Sequence, residues 1–215
     1  MYKIKFYLQS AISFVEIPTF DSILAWCYLR DKGIVEQQLN IKTQALHDFA
    51  DLPIKRHKDG YFMASWLIYD KENSVEFVST WKKRWANQHD FLADFGKKPA
   101  KILISKGDYK SYDIPIVLHN IPECYFYVET DNIAEVERLI KTHLWGMGKK
   151  SSQGYGQIEK YEIETIDYNP FAEIIRPIPI PKEVFLQGKL NVKGKLMGWR
   201  PPYWLPENQT FCHDI

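Results

Sequence analysis

The chain has 215 residues, 45% hydrophobic and 15% aromatic, enough for one sizeable core or a core with an appendage. Its formal net charge of +1 excludes a uniformly basic nucleic-acid coat but leaves room for local patches. Three dispersed cysteines, Cys27, Cys124 and Cys212, argue against a disulfide framework and for a reduced, cytoplasmic setting; no stretch approaches the roughly 18 apolar residues of a membrane span.

Residues 2–8 alternate, with Ile4, Phe6 and Leu8 on one side, and predict a strand without the apolar run of a signal peptide. After Pro18, a helix follows that Thr19 or Asp21 can cap. Ile23, Leu24, Cys27 and Tyr28 form its apolar stripe and Gly33 stops it. A weaker helix is expected over 36–49. Tyr61–Tyr69 reads as an aromatic strand, pairing with Val75–Trp81 across the polar Asp70–Ser74 turn. Residues 82–123 are mixed, with short strand candidates at 100–105 and 113–118. A strand starting at Cys124 then leads to a helix capped by Asp131 or Asn132, with Ile133, Val136, Leu139, Ile140 and Leu144 at helical spacing. A glycine-rich loop and an alternating strand over 157–166 follow. From Arg176 onward the chain is punctuated by prolines, with one hairpin expected around 184–197.

With the insert at 71–123 set aside, the order is β-α-β-β-α-β, that of a ferredoxin-like, RRM-like α+β fold. The expected organisation is a domain over 1–170 carrying that insertion, with an extended, hairpin-containing extension over 171–215 packed on it.

The loop from Trp145 to Gly156 carries the most chemistry. Gly146, Gly148, Gly154 and Gly156 enclose Lys149, Lys150, Ser151, Ser152 and Gln153. Glycines let backbone N–H groups and ammonium groups approach phosphate oxygens closely. No Gly-x-x-x-x-Gly-Lys-Ser/Thr is present, and the loop follows a helix instead of opening one, so the helix dipole does not assist an anion. A purely structural reading, a helix cap and a tight turn, accounts for about two glycines and leaves the rest unexplained.

The loop's place between the last helix and last strand resembles that of the RAMP proteins of CRISPR systems. Pro18-Thr-Phe-Asp-Ser-Ile-Leu-Ala-Trp, the glycine loop, Arg176-Pro-Ile-Pro and Arg200-Pro-Pro-Tyr-Trp together are most similar to the type IV subunit related to the 5′-handle-binding protein of Class 1 effectors. The similarity covers residues 1–32 and about 124–204. It implies a non-catalytic subunit of a ribonucleoprotein that holds the 5′ handle of the guide RNA and caps the backbone of repeated subunits. The implied partners are guide RNA, a backbone RAMP subunit and the large subunit, with target DNA reached through the complex and no membrane.

On this reading Gly146, Gly148, Lys149, Lys150, Ser151, Ser152, Gln153, Gly154, Tyr155 and Gly156 contact RNA. Tyr155 serves either as a stacking platform or as core. Residues 81–110 hold seven lysines and one arginine against three aspartates, which adds Lys82, Lys83 and Arg84 as phosphate contacts. The structural reading is a solvated helix face with Trp81 and Trp85 packed inward, which is compatible with the first because it presents Lys82, Lys83 and Arg84 outward. Lys55 and Arg56 lie in a basic turn, and Arg176 sits on stiff extended backbone, suited to RNA or to a neighbouring subunit. An endoribonuclease that matures precursor guide RNA is the alternative function; it needs a histidine base, and His57 and His89 in basic segments are first choices, with Tyr61 or Lys58 as helpers. A third possibility is an RRM-like protein-interaction module. No metal-ligand spacing is present, and no cofactor is expected.

Overall fold

The computed structural model describes residues 1–33, 49–85, 104–105, 110–173, 175–180, 194–203 and 205–213. Residues 36–48 of the helix expected over 36–49, with His47, residues 86–103 and 106–109 of the basic segment 81–110, with His89, and residues 184–193 of the expected hairpin lie outside them. The fold is mixed α and β, with antiparallel sheets. Its centre is a four-stranded sheet of β1 (Tyr2–Leu8), β2 (Ile68–Tyr69), β5 (Glu123–Val128) and β6 (Ile158–Thr165), in spatial order β2-β5-β1-β6. β1 is central and antiparallel to both neighbours, Ile4 opposite Phe126 on one side and Ile163 on the other.

The alternation read in residues 2–8 is what the sheet uses. Ile4 and Phe6 are fully buried, as are Phe126 and Val128 of β5, and they meet α1 (Phe20–Asp31) and α2 (Ile133–His143) in one core. α1 buries Leu24 and Cys27, with Ile23 and Tyr28 half-covered beside them, and Gly33 in a left-handed conformation follows its end. Thr19 sits at the N-cap position without capping, because its hydroxyl is used elsewhere. α2 is capped by Asn132, whose side chain accepts from the Glu135 N–H at 3.1 Å, and it buries Val136, Leu139 and Ile140. The C-terminal ends of the two helices are tied by Asp31, which accepts a bidentate pair from Arg138 at 2.8 Å and lies 3.0 Å from His143 Nε2.

Two expectations are corrected. Val75–Trp81 does not pair with Tyr61–Tyr69. It belongs to β3 (Val75–Lys83), which pairs along its full length with β4 (Tyr112–Asn120) in a separate two-stranded ribbon. The expected partner is otherwise engaged: only Ile68 and Tyr69 join the sheet, while Phe62, Ala64 and Trp66 bridge to Arg56, Val128 and Thr19 in turn. Trp81 is therefore on a strand, with no helix face around it. Of the hairpin expected around 184–197, residues 184–193 lie outside the described ones; β7 (Gly194–Gly198) pairs with β8 (Gln209–His213). Of the candidate at 100–105, the described Ile104 and Ser105 form a turn.

The ribbon is anchored to the core by reciprocal backbone hydrogen bonds between Ile12 and His119, at 2.9 and 2.8 Å. His119 also stacks flat on Phe14, with ring centroids 4.2 Å apart. Beyond that anchor Val75, Phe77, Val78, Ile114 and Val117 leave much of their apolar surface exposed. Cys27, Cys124 and Cys212 are buried and unpaired. Burial pushes the Cys27 and Cys124 thiols up to about 12, so they remain protonated.

Candidate nucleic-acid interface

The glycine loop is held against the segment that follows β1. Lys149 N–H donates to the Ser13 carbonyl at 2.6 Å, Gly156 N–H to the Ala11 carbonyl at 2.9 Å, and Met147 N–H to the Gly156 carbonyl at 3.0 Å. The Ser10 hydroxyl donates to the Gly154 carbonyl at 2.7 Å and accepts from the Gln157 N–H at 2.9 Å, closing the loop's base. This close approach explains two glycines. At Gly148, φ is +85° and a Cβ would lie 2.6 Å from the Ser13 carbonyl oxygen. At Gly156, φ is +61° and a Cβ would overlap the Met147 carbonyl.

The remainder of the loop faces outward. Lys150 adopts a left-handed conformation, and Ser151–Gln153 form a single 3-10 turn. The amides of Lys149, Gln153, Gly154 and Gly156 are consumed internally, which narrows the expectation that the loop's N–H groups are generally available. Those of Lys150, Ser151 and Ser152 have no backbone acceptor among the described residues. Lys149 and Lys150 are exposed and make no ion pair with a described residue. The Lys150 ammonium lies over the Trp81 ring, 5.0 Å from its centroid. The loop and the end of β3 are thus neighbours, which brings two of the sequence's basic candidates to one side of the molecule.

Within that second candidate, Lys82 and Arg84 share the Asp113 carboxylate at 3.7 and 3.8 Å, so part of their charge is balanced locally. Lys55 and Arg56 belong to a different place. Lys55 pairs with Asp131 at 2.9 Å and with Glu129 at 3.3 Å, just before α2, whereas the glycine loop begins after it. Lys55 is thus tied to the segment that enters α2, an eleven-residue helix about 16 Å long, and the loop follows the other end of that helix. His57 belongs to the same turn. Its Nδ1 is 3.1 Å from Asp59 and its ring stacks on Tyr61 at 4.5 Å. Burial raises the Tyr61 phenol above its usual range, which keeps it protonated.

Arg176 is a correction. Its side chain is 1% exposed, its Nη1 donates to the Ala64 carbonyl at 3.1 Å, and its Nη2 donates to the Trp199 carbonyl at 2.7 Å. The guanidinium also lies over the Tyr61 ring and 3.6 Å from the buried Asp21 carboxylate. Asp21 in turn accepts from the Tyr203 hydroxyl at 2.6 Å, and Tyr203 accepts from Thr19 at 2.8 Å. Burial pushes the Tyr203 phenol well above its usual range, with the Asp21 carboxylate adding to the shift. Arg176, Trp199 and Tyr203 therefore form an internal clasp with Thr19, Asp21, Tyr61 and Ala64, and Arg176 offers nothing to an external ligand.

The sequence reading passed over Trp145, which is 75% exposed at the start of the loop, and Ser10 and Ser13, which hold the loop from below. A lone tryptophan at a helix end gives no pattern to distinguish it from core. The two serines, however, stand directly after the first strand.

Residues 1–213 match the family model described as CRISPR type IV associated protein Csf3. The chain belongs to this family. Curated proteins give no match. Csf3 membership spans the core, the ribbon and the C-terminal clasp together, including the middle of the chain that carried no resemblance. No helix among the described residues of this Csf3 family member is long and apolar enough to cross a membrane.

Proposed function

We propose that the protein is a non-catalytic subunit of a type IV CRISPR ribonucleoprotein, that it grips the 5′ handle of the guide RNA, and that it caps one end of the backbone of repeated subunits. The observation that carries this reading is the exposed Lys149–Lys150 pair on a loop pinned to the core, in a chain matched along nearly its whole length by a type IV CRISPR family. Lys149 and Lys150 contact phosphates, and the amides of Lys150, Ser151 and Ser152 add donors. Trp145 offers a ring to an unstacked base, in the manner of single-strand recognition. We read the core as ferredoxin-like, a reading supported by the antiparallel order β2-β5-β1-β6 with both helices meeting its buried residues. The backbone subunit, the large subunit and, through the assembly, target DNA are the partners this role requires. A cytoplasmic setting agrees with three buried, unpaired thiols.

The endoribonuclease reading keeps one specific support, the stacking of His57 on Tyr61. It is the weaker reading because His57 stands at the far end of α2 from the loop. The test is a gel-shift titration in EDTA with repeat-derived RNA against the same RNA carrying a scrambled handle. Preferential binding with the RNA left intact supports the proposal. Equal affinity for both RNAs removes handle recognition, and a discrete cut lost in His57→Ala replaces the proposal with the ribonuclease.

A further inference from the structure

A cleft of about 530 Å³ lies between residues 13–15, the β3–β4 ribbon and the two loop lysines. That volume falls within the roughly 300–1,000 Å³ of small-molecule sites, which are typically apolar with a few placed polar groups. Here the apolar part includes Phe14, Trp81 and Ile116, and the polar part is Ser13, Glu76, His119, Lys149 and Lys150. The Ile12–His119 backbone bonds and the Phe14–His119 stack fix one wall. His119 Nδ1 lies 3.5 Å from the Glu76 carboxylate and so helps to orient it.

The mixture of charges restricts what fits. A phosphate alone is repelled by Glu76, and an apolar peptide leaves two ammonium groups without a partner. A nucleotide satisfies both, with its phosphate on the lysines and its base among the apolar residues, presenting N–H donors to the carboxylate. The bases differ in what they give a carboxylate. Guanine carries two adjacent donors, N1–H and the N2 amine, and engages both oxygens. Adenine and cytosine set an acceptor beside their amine, and uracil has a single N–H between two carbonyls. Single-stranded RNA is read in this way, with splayed bases hydrogen-bonded on their Watson–Crick edges.

We propose that this cleft takes one unstacked guanine of the RNA held by the loop, its Watson–Crick edge on Glu76 and its phosphate on Lys149 and Lys150. The inference rests on the loop grip described above and adds a base preference to it. It is tested by fluorescence anisotropy with labelled octauridylate and the same oligomer carrying one central guanosine, inosine or adenosine. The guanosine oligomer should bind roughly 10-fold tighter than the adenosine one, the order expected of a bidentate base contact. Inosine, which lacks the N2 amine, should fall between them. Glu76→Gln, at an exposed strand position, should bring guanosine and adenosine within twofold, and octauridylate should bind at least as tightly as before because a charge that repels phosphate is gone. The double change Lys149→Ala/Lys150→Ala should weaken every oligomer and keep the guanosine ratio. Equal affinity of guanosine and adenosine oligomers for the unaltered protein, or a ratio that survives Glu76→Gln, overturns the guanine site even when the lysine change still weakens binding. A lysine change without effect on any oligomer overturns the loop grip instead.

Discussion

Replacing Arg176 by methionine separates structure from recognition most sharply. The guanidinium is buried, donates to the carbonyls of Ala64 and Trp199, and sits 3.6 Å from the Asp21 carboxylate. Methionine keeps much of the aliphatic volume but strands two carbonyl oxygens and leaves the buried Asp21 without its cation. Breaking one partner of such a pair costs about 3–5 kcal/mol. For a chain of this size each kcal/mol moves the melting temperature by about 2–4 °C, so a drop of roughly 6–20 °C is expected in a thermal melt followed by circular dichroism. Asp21→Asn in the Arg176→Met background should restore part of that loss, because the two groups share one buried network. RNA affinity per folded molecule, measured well below the melting transition, should not change. A variant that melts like the parent and binds RNA more weakly would refute the assignment of Arg176 to the clasp.

Other outcomes follow from the same structure. Gly148→Ala should lower the urea midpoint by the equivalent of more than about 1–2 kcal/mol, since a left-handed backbone and the Ser13 carbonyl both oppose a Cβ, and RNA binding should fall with it. Trp145→Ala, at an exposed position, should leave stability within about 0.5 kcal/mol and weaken RNA binding by about 1–3 kcal/mol, read by anisotropy. The Asp31 carboxyl is held well below the usual carboxylate range, by its hydrogen bonds from Arg138 first and His143 second. Its contribution is therefore present above the unfolded value near pH 4 and is lost as pH falls toward the folded one. Asp31→Asn should accordingly destabilise the protein at pH 7 by about 0.5–1 kcal/mol, and the effect should shrink progressively as pH falls below about 4, measured by urea titration at pH 7 and at about pH 3.

Local patterns made the core readable. The alternation of residues 2–8 buries Ile4 and Phe6 and partly covers Leu8, and the helical spacing of Val136, Leu139 and Ile140 buries all three. The ribbon was not readable in this way. Val75–Lys83 finds its partner at 112–120, whereas nearness in sequence favoured 61–69, and alternation does not encode which strand pairs with which. Arg176 misled for a different reason. A cation on stiff, proline-flanked backbone looks available to a ligand, and its burial depends on Asp21, Ala64 and Trp199, which are remote in sequence. In the loop, glycine richness was legible, but its division was not. Gly148 and Gly156 serve close packing against Ile12 and Ser13, and that packing leaves Lys149 and Lys150 projecting outward. His119 and Glu76 drew no attention because a histidine in an apolar strand and an exposed glutamate are ordinary until the ribbon folds onto Phe14.

The claim that Lys149 and Lys150 grip RNA phosphates is tested most directly by the salt dependence of binding to handle RNA. With single-stranded RNA, each phosphate neutralised contributes about 0.7 to the slope of log affinity against log salt. The double change Lys149→Ala/Lys150→Ala should flatten that slope by about 1.4 and weaken binding most at low salt. An unchanged slope and affinity would contradict the account.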